Sequence, residues 1–299
     1  MNFSASGQSV LEGDIGNTAV TVTASLSSVS SLNVTVPFTL GGSAANPADH
    51  DAANASISIP AGSTSGSYSF NVVGDTLDEP DETVVFALGS PGNATLGTNA
   101  SHTVTITDDD AAPLVNFTAA SQSVPEGNSG NTAVTLTASL SSVSSLNVSV
   151  PFTLSGSAAN PADHDAANAS ISIPAGSTSG SYSFNVVGDT LDEPDETVIF
   201  SMGTPGNATA GATTVHTVTI TDDDAAPVVN FTAASQSVLE GDIGNTAVSV
   251  TASLSAGSGR TVTVPFTLSG TASNPADHNA ANASITIPAG STSGSYSFN

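Results

Sequence analysis

The sequence predicts an all-β protein made of tandem immunoglobulin-like, seven-stranded β-sandwich domains. Three features of its 299 residues indicate this fold. The sequence repeats itself with a long period, each repeat contains short runs in which apolar and polar residues alternate, and Gly, Pro, Asn and Ser separate these runs. Alternation with a period of two places one face of each run in a core and the other in water, as in a half-buried strand. No segment has the period of an amphipathic helix.

The repeat period is 114 residues. Asn2-Phe3 recurs as Asn116-Phe117 and again as Asn230-Phe231, and segment 49–84 is identical to segment 163–198. A period this long corresponds to a whole domain rather than to one turn of a solenoid. We therefore predict three domains, which span residues 1–113, 114–227 and 228–299.

The third domain is predicted to be incomplete. Asn299 aligns with Asn185, so the last copy lacks the strands that follow this point in the second copy. We expect the chain to be a section of a longer array.

Seven strands are predicted in the second repeat. The alternating runs lie at 115–117, 133–140, 146–154, 171–173, 182–186, 198–202 and 218–220. Seven strands in about 100 residues are typical of an immunoglobulin-like sandwich. Pro151 lies in the middle of one run, and because proline cannot donate a ladder hydrogen bond, it predicts an edge strand or a bulge there.

The charge balance restricts the partners of the chain. Acidic residues outnumber Lys plus Arg by 26 to 1, so the chain has no means of neutralising phosphates and is not predicted to bind nucleic acid. Anionic membranes would repel it, and no apolar stretch reaches the length of about 20 residues needed for a membrane span. Charged residues are only 9% of the chain and hydrophobic ones 38%, which favours a folded protein over a disordered one. Cations are the expected charged partners.

The acidic residues fall into four groups in each complete repeat. In the first repeat they lie at 12–14, 49–51, 75–82 and 108–110, at strand ends or in loops. Alternate loops of a sandwich share one end, so we expect several carboxylates to converge. Two such charges about 5 Å apart repel by roughly 3 kcal/mol at an effective dielectric of about 20, which a bound cation would offset. Oxygen ligands in flexible loops suit Ca²⁺ better than Mg²⁺ or zinc, although ordinary solvated loop acids are the alternative.

The acidic segments resemble the motif of the Calx-β domain family. The resemblance rests on segment 74–83 (GDTLDEPDET), on Asp108-Asp109-Asp110 after the next strands, on Glu12-Gly13-Asp14, and on Asp49 after a stretch of small residues. It implies a seven-stranded sandwich that binds calcium at one end.

The resemblance also implies two sets of calcium ligands. In the first repeat they are Glu12, Asp49, Asp75, Glu79, Glu82, Asp108, Asp109 and Asp110, together with the carbonyl of Leu77. In the second repeat they are Glu126, Asp163, Asp189, Glu193, Glu196, Asp222, Asp223 and Asp224. The third copy retains only Glu240 and Asp277, so it is not expected to hold a cluster. The sequence departs from the family's pattern at two positions: Gly74 stands where the Calx-β domains of sodium/calcium exchangers (the exchanger domains) have a further Asp, and His50 replaces the usual aromatic residue.

The sequence favours a structural role over a catalytic one. The linker 111–113 is short and ends in a proline, so calcium at the end of one domain would fix the angle to the next. We predict a calcium-stiffened stalk or filament segment of an extracellular, cell-surface or adhesion protein, with other copies of the chain as candidate partners. The alternative is a calcium-dependent recognition module for a carbohydrate or protein ligand, which the near-identity of the repeats disfavours. An intracellular calcium sensor is disfavoured for the same reason.

No catalytic motif is present, and the chain is not predicted to be an enzyme. The histidines recur with the domain. His102 and His216 share a strand face with apolar residues, which predicts a packing role. His50 and His164 lie among loop acids, where they are candidates for outer partners of metal ligands.

Overall fold

The computed structural model describes residues 1–299, and its regular elements are all β-strands. The first repeat contains β1 (Asn2–Phe3), β2 (Gly7–Leu11), β3 (Gly16–Ser25), β4 (Val34–Gly42), β5 (Ala55–Ile59), β6 (Ser65–Gly74), β7 (Glu82–Leu88) and β8 (Ser101–Thr107). One sheet has the strand order β1-β3-β6, and the other has the order β2-β8-β7-β4-β5. Side chains from both sheets meet in one core of 18 buried residues.

The second repeat has the same architecture. Its strands are β9 (Leu114–Phe117), β10 (Ser121–Pro125), β11 (Gly130–Leu140), β12 (Val148–Gly156), β13 (Ala169–Ile173), β14 (Ser179–Gly188), β15 (Glu196–Met202), β16 (Thr209–Ala210) and β17 (Val215–Thr221). The sheets have the orders β14-β11-β9-β16 and β10-β17-β15-β12-β13, and they enclose a core of 17 buried residues. The predicted all-β class and tandem sandwich architecture are therefore confirmed.

The third repeat forms a reduced version of this fold. It contains β18 (Val229–Phe231), β19 (Val248–Leu254), β20 (Val262–Phe266), β21 (Ala283–Ile287) and β22 (Ser293–Phe298), in a three-stranded sheet β18-β19-β22 and a pair β20-β21. Counterparts of β7 and β8 are absent, and only four residues are buried in its core. Without these strands the second sheet cannot be completed.

The first strand of each complete repeat is divided between the two sheets. After β1 the chain crosses to the other sheet, where β2 pairs with β8 in parallel, with Ser9 opposite Thr105. In the second repeat β10 pairs with β17 in the same way. This strand was missing from the seven predicted runs, because Ser121–Pro125 is mostly polar and exposed and carries no apolar stripe.

The sequence predicted an edge strand or a bulge at Pro151, and the prediction of an edge strand is wrong. The strand that contains it, β12, lies inside its sheet between β15 and β13. The proline is tolerated because the ladder between β12 and β15 begins only at Phe152, while Pro151 accepts a hydrogen bond from Gly203 just beyond the end of β15 (2.8 Å). The missing N–H therefore falls where the neighbouring strand has ended.

Aromatic side chains fill the centre of each complete core. In the first repeat Phe86 is fully buried and packs against Phe38 and Phe70 at ring-centroid distances of 5.3 and 5.5 Å. Tyr68 meets Phe38 edge to face at 4.8 Å, a favoured aromatic geometry. These contacts join strands of the two sheets across the core. No helix in the structure has the length and apolar character to cross a membrane.

Candidate metal centre

The strand topology brings the acidic segments of the first repeat to one pole. Since β2 and β8 run in parallel, their ends at Leu11 and Thr107 lie side by side, and Glu12 and the 108–110 segment follow them. Strand β7 runs antiparallel to β8, so its first residue, Glu82, lies opposite Ile106. The acidic loop, residues 75–82, is the connection that leads into β7. All these carboxylates therefore leave the sandwich in the same direction.

The loop after β4 reaches the same pole. Gly42, the last residue of β4, pairs with Val84 near the start of β7. A turn then positions Asp49, which accepts a short hydrogen bond from the Ala45 N–H. As a result, carboxylate oxygens of Asp49, Glu79 and Glu82 lie within 4.8 Å of one another. Three carboxylates at this spacing form a plausible cation site.

In the second repeat a different trio of carboxylates meets at the same pole, and its counterparts in the first repeat are Glu12, Asp75 and Asp110. Carboxylate oxygens of Glu126, Asp189 and Asp224 lie within 4.8 Å of one another. The Gly127 N–H donates to Asp223 Oδ1 at 3.1 Å, as the Gly13 N–H does to Asp109 Oδ1 at 2.9 Å in the first repeat. The loop after the second strand and the triple-Asp segment are therefore joined in both repeats.

Electrostatic repulsion links all the predicted ligands within each repeat. In the first repeat, the charges that raise the pKa values of Glu12, Glu79, Glu82 and Asp110, in addition to burial, belong mostly to other members of the predicted set, so that all eight residues lie in one group: Glu12, Asp49, Asp75, Glu79, Glu82, Asp108, Asp109 and Asp110. In the second repeat the same network connects Glu126, Asp163, Asp189, Glu193, Glu196, Asp222, Asp223 and Asp224. The structure thus brings both predicted sets together.

Burial and repulsion change the acidity of the deepest carboxylates. Burial, followed by the charges of Asp75 and Glu79, raises the pKa of Glu12 to about 7, and its side chain is only 5% exposed. The pKa of Glu82 also rises to about 7 through burial and its contact with Asp49. Glu126 and Glu196 in the second repeat have pKa values of about 7 for the same reasons. A carboxylate in such surroundings favours any partner that brings positive charge, whether a proton or a cation.

Several buried carboxylate oxygens have no hydrogen-bond partner. In the first repeat these are Glu82 Oε2, Asp108 Oδ1 and Asp110 Oδ2, and in the second they are Glu126 Oε1, Asp222 Oδ1 and Asp224 Oδ2. Leaving a buried charged oxygen without a partner costs several kcal/mol at most sites. A hard cation that takes six to eight oxygen ligands fits this donor set, because the set contains carboxylates and no thiol or imidazole.

Two acidic residues outside the predicted ligand sets also belong to the pole. The charge of Asp14 is among those that raise the pKa of Asp110, so Asp14 lies close to the cluster. Asp81 Oδ1 accepts a hydrogen bond from the Asp108 N–H at 3.3 Å and so positions the triple-Asp segment. Both residues stand in the acidic groups of the sequence, but their roles depend on side-chain direction, which the sequence pattern does not give.

Gly74 stands at a point of close backbone approach. A Cβ atom added there would lie 2.0 Å from the Gly13 carbonyl oxygen, so this backbone arrangement has no room for a side chain. The same holds for Gly188 against Gly127. The additional Asp of the exchanger domains therefore could not be accommodated without moving the loop that carries Glu12.

The third repeat does not assemble a cluster. Glu240 is exposed and lies outside any strand, because the counterpart of β2 has no partner equivalent to β8 with which to pair. Asp277 is exposed as well, and hydrogen bonds from the Ser273 N–H and hydroxyl lower its pKa.

The histidines pack rather than contact the cluster. The His50 ring is buried against Phe70, and its Nδ1 accepts a hydrogen bond from the Ala52 N–H at 3.1 Å. No hydrogen bond joins it to a carboxylate of the candidate site, so the suggested outer-partner role has no structural support. His102 is buried beside Phe3, with Nδ1 2.8 Å from the Ala5 carbonyl oxygen, as its predicted packing role requires.

The acidic loop of each complete repeat also contacts the next repeat. At the first junction Asp78 is 8% exposed, and its Oδ2 accepts a hydrogen bond from the Ser144 hydroxyl at 2.6 Å. The Asp78 carbonyl oxygen accepts another from the Ser145 N–H at 3.0 Å, and Asp78 and Ser144 form a parallel β-bridge. Asp78 is thus a junction residue that stands directly beside Glu79 of the cluster.

The second junction repeats these bonds and adds a positive charge. The Ser258 hydroxyl donates to Asp192 Oδ2 at 2.9 Å, and the Gly259 N–H donates to the Asp192 carbonyl at 3.0 Å. Arg260, the only Lys or Arg in the chain, lies 3.6 Å from Asp192 Oδ1 and also donates to the Glu193 carbonyl. The first junction has Leu146 at this position.

Three solved structures are examples of what the chain is similar to. The crystal structure of CBD12 from CALX1.2 is 18% identical over 73% of this chain and 98% of its own, with a TM-score of 0.35. The apo-form Calx CBD1 domain is 20% identical over 38% of this chain and 100% of its own, also with a TM-score of 0.35. The human desmocollin-1 ectodomain is 12% identical over 98% of this chain and 52% of its own, with a TM-score of 0.26. No curated protein sequence matches the chain.

The family comparison is more specific. The model of the Calx-beta domain matches the chain three times, at residues 1–110, 108–224 and 222–295. These matches follow the 114-residue repeat and span nearly the whole chain. The chain therefore belongs to the Calx-β family, whose domains are non-catalytic, calcium-binding modules.

Proposed function

We propose that the chain is a calcium-stiffened section of a structural stalk or filament in an extracellular surface or adhesion protein. The first and second repeats, residues 1–113 and 114–227, would each hold calcium through the eight carboxylates at their pole. The third, residues 228–299, would contribute length. We assign no enzymatic activity to the chain.

One observation carries the proposal: the acidic loop belongs to the carboxylate cluster and to the inter-repeat junction at the same time. Glu79 stands in the cluster, while the preceding residue, Asp78, is bonded to Ser144 of the next repeat. The linker 111–113 begins directly after Asp110, which is another member of the cluster. Both connections between neighbouring repeats therefore originate at the candidate calcium site.

This arrangement couples the cluster to the shape of the chain. Without a cation, ionised Glu12, Glu79 and Asp108 repel one another and favour separation of the loops that carry them. Bound calcium would supply the positive charge that offsets this repulsion. Loops held together present Asp78 to Ser144 in one orientation, whereas separated loops permit a range of angles between the repeats.

The alternative of a recognition module receives less support. Two cavities of about 250 and 550 Å³ border the third repeat, beside Phe231 and Val250 and beside Glu240 and Asp277 respectively. Both lie within the third repeat. A shared recognition function would instead be expected to place a similar pocket in each repeat.

Small-angle X-ray scattering tests the stalk proposal. We expect the radius of gyration and maximum dimension to be well defined in calcium, and the distribution of distances to become broader in a chelator. A variant with Asp75→Asn and Asp189→Asn serves as the control, since it should resemble the chelated protein under both conditions. Identical scattering in calcium and chelator, with calcium binding verified separately, would reject the stiffening mechanism.

A further inference from the structure

Residues 26–33 form a loop in the first repeat, and its sequence is identical to that of residues 140–147 in the second repeat. The loop at 140–147 is the one that contacts the acidic loop of the first repeat. Both read LSSVSSLNV from Leu26 and from Leu140, if the first residue of the next strand is included. In the second repeat this loop contacts Asp78, and Ser144 is only 1% exposed. The third repeat presents a related loop to Asp192, so the same surface is used at both junctions of the chain.

The loop of the first repeat has the bound geometry although nothing covers it. The Leu32 N–H donates to Ser30 Oγ at 3.0 Å, and the Gly62 N–H donates to the Ser30 carbonyl at 2.9 Å. The corresponding bonds around Ser144 have the same lengths, 3.0 and 2.9 Å. Asn33 Oδ1 likewise accepts a hydrogen bond from the backbone of the neighbouring turn. The docking surface is therefore preorganised, which lowers the entropic cost of association.

The same surface exposes apolar groups that are partly covered in the docked copy. Val29 is 62% exposed, whereas its counterpart Val143 is 39% exposed. Leu32 is 57% exposed, whereas its counterpart Leu146 is half-buried. At the second junction Gly257 occupies the position of Val143. A Cβ atom added to Gly257 would lie 3.1 Å from a methyl carbon of Leu191. A leucine from the acidic loop is therefore the group that packs over this apolar rim.

We propose that loop 26–33 is a docking site for the acidic loop of a further Calx-β repeat linked directly ahead of residue 1. The partner segment has the chemistry of segment 77–79, Leu-Asp-Glu: a leucine for Val29, a carboxylate for the Ser30 hydroxyl, and a backbone carbonyl for the Ser31 N–H. A second copy of this chain is a poor partner, because Asp78 and Asp192 are already bonded to Ser144 and Ser258. The proposal stands on the junction geometry and does not depend on which carboxylates bind calcium.

Amide hydrogen exchange at Ser31 tests this directly. Ser145, its counterpart, donates its N–H to the Asp78 carbonyl, whereas no acceptor faces the N–H of Ser31. The protein to be tested carries a copy of residues 1–114 ligated ahead of residue 1, with only the original 299 residues isotope-labelled for NMR. We expect exchange at Ser31 to slow at least ten-fold and to approach the rate at Ser145.

Two controls make the result specific. A ligated copy with Leu77→Gly and Asp78→Ala in its acidic loop should leave Ser31 unprotected, and folding of that copy is checked by its circular dichroism. The unextended chain at high concentration should also leave Ser31 unprotected, since a second copy has no free acidic loop. The proposal is overturned if the intact added repeat leaves the Ser31 rate unchanged, or if concentration alone protects Ser31.

Discussion

Neutralising one buried glutamate in each cluster should have opposite effects with and without calcium. Glu12 and Glu126 are 5% and 6% exposed, and burial raises the pKa of each to about 7. At pH 8 in a chelator both are ionised, although the folded state favours the proton. The pKa of each carboxylate is about 7 in the folded state and 4.5 in the unfolded state. Each carboxylate, once ionised, therefore lowers the free energy of unfolding by about 3 kcal/mol.

Glu12→Gln together with Glu126→Gln should therefore raise the free energy of unfolding of each complete repeat by up to about 3 kcal/mol in a chelator at pH 8. For a domain of about 100 residues, this is an increase on the order of 10 °C in Tm. In calcium the same variant loses one anionic ligand from each cluster. The rise in Tm that calcium produces should therefore be smaller than in the unsubstituted protein.

Differential scanning calorimetry at pH 8, in calcium and in chelator, measures both effects. Glu240→Gln is the matched control, because Glu240 has the same sequence context in the third repeat but is exposed and outside any cluster. Glu240→Gln should change the Tm by no more than about one or two degrees, both in calcium and in chelator. The reasoning is refuted if the double variant is less stable than the unsubstituted protein in chelator, or if it behaves like Glu240→Gln under both conditions.

Three further predictions follow from the pKa values and from the junctions. In chelator, stability should fall as pH rises from about 4.5 to about 7 and then level off, because Glu82 and Glu196 bind protons more tightly in the folded state. Calcium affinity should rise over the same range, and titration at pH 5.5 and pH 8 should differ at least ten-fold; equal affinities would contradict the clustering. Arg260→Leu, which gives the second junction the residue found in the first, should cost no more than about 1 kcal/mol, because the Arg260 side chain is half exposed. Calorimetry at low and high salt checks this, and a loss of several kcal/mol would mean that the arginine holds the junction together.

The fold could be predicted because apolar and polar residues alternate along most of its strands. The run at 133–140 became β11 and the run at 198–202 became β15, each with one buried face. The polar strands β2 and β10 were not predicted, because they are edge strands that bury little apolar surface. Their parallel pairing with the last strand is a tertiary feature that no local pattern reports.

The candidate site could be predicted as a group of residues but not as a set of roles. Grouped acids at the ends of strands indicated convergence, and the topology brings them to one pole. The sequence does not distinguish Asp78, which turns toward Ser144, from Glu79, which stays in the cluster one residue later. Likewise, the backbone contact between Gly74 and Gly13 became visible only once β3 and β6 were paired.

Direct calcium titration by isothermal calorimetry tests the central claim, that cations hold the distant carboxylates together at one pole of each complete repeat. We predict saturable binding to two equivalent sets of sites, and the proposed extracellular role corresponds to dissociation constants of about 10⁻⁴–10⁻³ M. Asp75→Asn should remove one set and Asp189→Asn the other, while Asp277→Asn should remove none. Absence of saturable binding, or binding that survives loss of both Asp75 and Asp189, would contradict the account.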